Sequence, residues 1–94
     1  MLTVLARFQV KAGQAARFQE LCADLIAATR QEKGCVSYEL FQDKVDGNKF
    51  SFIEFWPTQA DLDAHSASAH FTRIVPQLVE ISDEVTVQTF EKVA

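Results

Sequence analysis

Glu54 and His65 are the side chains of this sequence whose type and placement suit them to move a proton. Glu54 lies between Phe52 and Trp56 at alternate positions of an apolar run, so its neighbours on one strand face are large and dry. Desolvation disfavours a charged carboxylate there unless a cation or donor compensates, and a carboxyl held nearer neutrality can serve as general acid or base. The alternative is a structural hydrogen bond at a sheet rim, and the strand pattern does not choose between the two. His65 stands four residues past Asp61, a spacing that lets the pair meet on one helical face. A carboxylate there would orient the imidazole and favour its charged form. The alternative is a half-exposed helix histidine without a task.

Other chemistries are poorly provided for. His70 follows five positions after His65; at about 100° per residue on one helix the two point roughly 140° apart. With no third ligand at a useful spacing, the sequence predicts no metal site. Cys22 and Cys35 form neither a metal nor a redox spacing and read as buried, reduced thiols. Three dispersed glycines exclude a glycine-rich phosphate loop, and neither a serine elbow nor a Cys-x-x-Cys pair occurs. Nine basic against thirteen acidic residues, without a Lys/Arg cluster, argue against nucleic acid as partner. No stretch approaches the roughly 18 apolar residues of a membrane helix. Met1 to Arg7 do not resemble a charged leader, so the chain reads as soluble, unprocessed and cytoplasmic.

Ninety-four residues make a single domain, 1–94, and a hydrophobic share of 48% makes it globular rather than disordered. Residues 2–10 alternate, with Leu2, Val4, Ala6, Phe8 and Val10 on one face, as a strand does. Phe18, Leu21, Cys22, Leu25, Ile26 and Thr29 follow at amphipathic-helix spacing, with Arg30 and Lys33 near its carboxyl end and Gly34 as a left-handed cap. Strands over 35–42 and 49–56 flank the turn signal Asp46-Gly47-Asn48, whose residues tolerate positive φ. Thr58 and Asp61 make a capping box for a helix over about 59–68. A further helical piece carries Phe71, Ile74 and Leu78, with a kink or restart expected at Pro76. A last strand covers 83–91. Strand, helix, strand, strand, helix, strand is the order of a ferredoxin-like (βαββαβ) α+β fold with an antiparallel sheet.

The third strand alternates Phe50, Phe52, Glu54 and Trp56 with Ile53 and Phe55, so both of its faces carry apolar residues. Helices cover only one face of such a sheet. The second face is expected to meet the same face of another subunit, which makes the protein a homodimer. Eight Phe in so short a chain suit either a dense core or an aromatic-lined cavity.

Glu32-Lys33-Gly34-Cys35-Val36-Ser37-Tyr38, then Phe52 to Trp56, then His65 through His70-Phe71, resemble the antibiotic biosynthesis monooxygenase family. The opening Phe8…Val10-Lys11-x-Gly13 matches as well, so the resemblance spans nearly the whole chain. It implies a dimeric α+β barrel in which two ferredoxin-like sheets meet face to face. On the quinol monooxygenase-like branch it implies oxidation of a small aromatic substrate by dioxygen with no cofactor: no flavin, haem or metal. His65 matches the family's helix histidine and becomes the candidate base, Glu54 would orient it or shuttle a proton, and Tyr38, Phe52, Trp56, Phe8 and Phe71 would line the substrate pocket. Haem-degrading members carry an axial histidine where this chain has Val75, and a first-strand Asn where it has Arg7-Phe8-Gln9. Haem degradation is therefore not expected. Two alternatives stay open: an isomerase of a phosphorylated autoinducer sugar, and a non-catalytic dimer that binds a small aromatic molecule.

Overall fold

The computed structural model describes residues 1–94. Strand β1 (Leu2–Val10) buries Val4, Ala6, Phe8 and Val10 and exposes Arg7, the period-two pattern of a strand with one covered face. Gly13 turns the chain at a φ of +81°, a left-handed value that favours glycine. Helix α1 (Ala15–Thr29) then buries Phe18, Leu21, Cys22, Leu25 and Thr29 along one stripe. Arg30 at its carboxyl end donates from Nη2 (3.0 Å) and Nε (3.3 Å) to the Tyr38 carbonyl and from Nη2 to Glu39 (3.0 Å). The helix end is thereby tied to the next strand.

Gly34 does not form the expected left-handed cap, because Gly13 holds the one positive φ in the chain. Its smallness serves a close approach instead: a Cβ at Gly34 would collide with the Asp61 side chain.

Strands β2 (Ser37–Gln42) and β3 (Lys49–Trp56) form the hairpin. β2 starts two residues later than its sequence pattern indicates, although the Val36 N–H still donates to the Phe55 carbonyl at 3.2 Å. The turn forms without positive φ at Asp46-Gly47-Asn48. Aspartate side chains bend it: Asp43 Oδ2 accepts from the Val45 and Asp46 N–H groups (3.0 and 2.7 Å), and Asp46 Oδ1 accepts from Asn48 (2.9 Å).

Helix α2 (Gln59–Ser66) begins at the expected cap, where Thr58 Oγ1 accepts from the Asp61 N–H (3.2 Å) and donates to Asp61 Oδ2 (2.9 Å). The interruption expected at Pro76 lies at Ala67–Ser68 instead, and α3 (Ala69–Glu80) runs through Pro76. Ser68 is what restarts the helix: its Oγ accepts from the Phe71 N–H (3.3 Å) and donates to the His65 carbonyl (2.7 Å). Pro76 removes one helical donor, but Ile74 and Leu78 on either side are buried, and that packing holds the helix together.

Strand β4 (Ser82–Glu91) completes an antiparallel sheet of order β2-β3-β1-β4. This is the ferredoxin-like α+β architecture with its second helix split in two. Three rows face the helices: Tyr38, Glu54, Val4 and Thr89; Leu40, Phe52, Ala6 and Val87; Gln42, Phe50, Phe8 and Val85. On the opposite face Leu5 and Ile53 pair beside Phe55 and Phe90, but Arg7, Ser51 and Thr86 form a polar row next to them. That face is therefore mixed rather than uniformly apolar. Within this one chain nothing covers it.

Replacing Gly34 with Ala forces the Asp61 side chain, and with it the first turn of α2, off its position. The expected result is a loss of about 1–3 kcal/mol, read as a lower urea midpoint at unchanged slope. An unchanged midpoint would show that Asp61 swings aside at no cost.

Candidate active site

Between the helix-facing rows and helices α2 and α3 lies a cavity of about 360 Å³, within the size range of small-molecule sites. Phe8, Tyr38, Phe52, Glu54, His65 and Phe71 all border it. Trp56 does not border it; it is wholly buried behind Glu54 and His65. Val85, Val87 and Thr89 of the edge strand β4 form the far wall, and Val87 is 64% exposed, so the cavity opens on that side. A wider concavity of about 680 Å³ lies on the opposite sheet face, lined by Arg7, Asp43, Lys44, Lys49 and Glu84 among others. Its lining mixes these charged side chains with Leu5, Phe41 and Ile53, and neither Glu54 nor His65 borders it.

Glu54 is 5% exposed. Strand alternation turns it inward with Phe52 and Trp56, and the Trp56 indole Nε1–H donates to Glu54 Oε1 at 3.0 Å. Burial pushes the carboxyl up to about 7; the indole hydrogen bond works against this shift, and the charge of Glu32 adds to it. The group is thus held at the boundary between acid and base near neutral pH. It makes no hydrogen bond to His65.

His65 is oriented by a residue that local spacing did not pick out. Its Nδ1 lies 2.7 Å from Glu32 Oε2, in the loop after α1, and His70 Nε2 lies 2.8 Å from the same oxygen. Asp61, the partner expected from i,i+4 spacing, is committed to Thr58 and the helix cap. The helical angle between His65 and His70 also fails, because the chain leaves α2 at Ser66 and starts α3 at Ala69. The two imidazoles, which a continuous helix would separate, converge on one carboxylate. An ionised carboxylate only accepts, so the His65 proton sits on Nδ1 and the lone pair on Nε2. That Nε2 is buried and has no hydrogen-bond partner in the protein.

The imidazole is clamped on several sides. Trp56 stacks on it at a centroid distance of 4.6 Å, and Tyr38 and Phe71 meet it edge-on at 5.3 and 5.1 Å. Burial lowers the imidazole's proton affinity, while the Glu32 hydrogen bond and charge raise it in part. The balance favours a neutral imidazole, so the site pairs a free basic nitrogen with a carboxyl kept near neutrality in an apolar cavity. Burial raises both the Tyr38 hydroxyl and the Cys22 thiol, the latter to about 12, so neither supplies an anion at neutral pH.

The family model described as antibiotic biosynthesis monooxygenase matches residues 1–77. The chain belongs to this family. Among curated relatives, "Putative monooxygenase Rv0793" of Mycobacterium tuberculosis is 30% identical over 80 residues, covering 85% of this chain and 78% of that protein. The uncharacterised protein sll1783 of Synechocystis sp. is 32% identical over 74 residues, 79% of this chain; the match spans half of that relative's length. A crystal structure described as antibiotic biosynthesis monooxygenase superposes with a TM-score of 0.95 at 39% identity over all of both chains. Glu32, absent from the residues singled out by spacing, stands in the Glu-x-Gly-Cys segment that carries the family resemblance. That segment was the one sequence signal for it.

The shift of Glu54 has a definite sign in this family member. The folded value lies above the ordinary 4.5, so the folded protein keeps a proton that the unfolded chain releases. The stability due to Glu54 is whole below about pH 4.5 and is lost as pH rises towards about 7. Glu54→Gln keeps an acceptor for Trp56 without the titration. Relative to wild type it should gain up to about 3 kcal/mol between pH 4.5 and 8 in urea unfolding. A constant difference across that range would show that Glu54 titrates normally. His65 shifts the other way and loses its contribution as pH falls below about 6.5, a change common to both proteins.

Proposed function

We propose that this chain is a cofactor-independent monooxygenase that oxidises a quinol or related phenolic molecule with dioxygen in the cavity beside His65 and Glu54. The observation that carries this reading is the buried, unpartnered Nε2 of His65, with Nδ1 held by Glu32. His65 borders the cavity, and an unsatisfied buried acceptor on such a side chain calls for a donor from a ligand that packs against it. A phenolic hydroxyl is such a donor, and its proton passes to Nε2 while Glu32 stabilises the imidazolium. The electron-rich anion then reduces dioxygen directly. One oxygen atom enters the ring and the other leaves as water, all four electrons coming from the organic substrate. Glu54, near neutrality, donates to a substrate oxygen or to the reduced dioxygen. Phe8, Phe52 and Phe71 offer flat apolar walls, and Trp56 positions Glu54 rather than touching substrate. The relative named as a monooxygenase supports the same reading.

The isomerase alternative is weaker on one observation: none of the 19 residues lining the cavity is Lys or Arg, and a sugar phosphate needs cations. A pocketed dimer that binds without turnover shares the same walls and is separated from the enzyme by oxygen consumption alone. The reading includes a homodimer joined through the open sheet faces, where Leu5, Ile53 and Phe55 otherwise meet water.

Metal-free protein should consume oxygen with members of a panel of hydroquinones and anthrone-like phenols, and His65→Ala should lower that rate about 100-fold or more. An unchanged rate in the variant overturns the assignment. Ile53→Lys places a charge at the centre of the proposed interface and should shift sedimentation from dimer to monomer; a species of unchanged mass removes the dimer through that face.

A further inference from the structure

Orienting His65 takes one hydrogen bond, yet Glu32 Oε2 receives two. The second, from His70 Nε2, adds nothing to the orientation of His65, and it creates a set of two imidazole nitrogens and one carboxylate oxygen within 4.8 Å of one another. We propose that His65 Nδ1, His70 Nε2 and Glu32 form a binding site for a divalent transition-metal ion of the zinc type, whose occupancy reverses the hydrogen-bonding character of His65 Nε2.

The donor chemistry selects the ion. Two imidazoles and a carboxylate suit Zn²⁺, Co²⁺ or Ni²⁺, whereas Mg²⁺ and Ca²⁺ prefer all-oxygen shells. The geometry lies close to what such an ion needs. Donors about 2.0–2.1 Å from a tetrahedral ion stand roughly 3.3 Å apart. The present N···O separations are 2.7 and 2.8 Å, so each must open by roughly half an ångström as the bridging protons leave, while the two nitrogens, within 4.8 Å of each other, draw together as His70 moves in. Two of the three can adjust, Glu32 in a loop and the partly exposed His70 in the first turn of α3, while His65 keeps its place between Trp56, Tyr38 and Phe71. Access exists as well. The side chains of Glu32 and His70 are each 17% exposed against 2% for His65, so an ion enters from their side. A water can fill the fourth position.

Neither Glu32 nor His70 borders the cavity, which places the ion behind His65 and not among the reacting groups. Its effect is transmitted through the ring. A metal on Nδ1 requires that nitrogen's lone pair, so a neutral imidazole then carries its proton on Nε2. The unpartnered ring nitrogen changes from acceptor to donor and can no longer take a phenolic proton. Metal binding itself stands on the cluster alone; this consequence for catalysis rests on the reading of His65 as base.

The chain has two histidines, so nitrogen-15 labelling gives four ring signals that report the site directly in the wild-type protein. Addition of Zn²⁺ to metal-free protein should saturate at one equivalent per chain. It should turn His65 Nδ1 and His70 Nε2 into metal-bound nitrogens and His65 Nε2 into a protonated one. Mg²⁺ should leave all four unchanged. Glu32→Gln should weaken Zn²⁺ at least tenfold in equilibrium dialysis. Unmoved ring nitrogens under a tenfold excess of Zn²⁺, a response from His70 alone, or undiminished affinity in Glu32→Gln each overturns the site. Oxygen uptake, where the wild type shows it, should fall at least tenfold at one equivalent of Zn²⁺. Binding without inhibition overturns the coupling to His65, and the ring signals decide the site even where no substrate turns over.

Discussion

The hydrogen bond between His65 Nδ1 and Glu32 Oε2 joins two pieces of chain 33 residues apart, and the chemistry of the cavity depends on it. It fixes the tautomer that leaves Nε2 free, and it supplies the negative charge that partly offsets the desolvation of the imidazole. It also holds the loop after α1 against the junction of α2 and α3. Gly34 and Asp61 hold the same loop to the opposite end of α2, where the missing Cβ lets the helix cap approach it. A few close contacts between a loop and two helix ends thus settle both the shape of the site and its protonation.

Around that bond the sheet supplies dryness. The row Tyr38, Glu54, Val4 and Thr89 sets a carboxyl among apolar side chains, and the Trp56 indole satisfies one of its oxygens. One donor is enough to make burial tolerable and too little to restore an ordinary carboxylate. Trp56 also stacks on His65, so a single side chain braces both titratable groups without entering the cavity. Two groups with opposite shifts thus share one dry space, an arrangement suited to general acid–base chemistry.

Most of the fold was legible along the chain. The strands over 2–10 and 49–56 and the stripe of α1 follow from period two and period 3.6, because burial on one face imposes those periods whatever the partner. Local rules failed where a competing local interaction was stronger or where packing overrode propensity. Pro76 looked like the interruption, but Ser68 supplies a cap and Pro76 sits between the buried Ile74 and Leu78. Asp46-Gly47-Asn48 turned without positive φ because Asp43 and Asp46 offered acceptors.

The sequence by itself determined the ferredoxin-like order, the inward placement of Glu54 beside Phe52 and Trp56, and the candidacy of His65. The first two follow from spacing within single elements, which backbone geometry converts into a direction; His65 was reached through a spacing to Asp61 that the structure does not use and through the family resemblance. The partners of these residues were decided by the tertiary structure alone. Glu32 meets His65 and His70 because a loop and a helix break converge, and no periodicity extends across a break. Trp56 lies behind the cavity and Phe52 at its wall, although both point inward from one strand, because only the packed helices show where space is left.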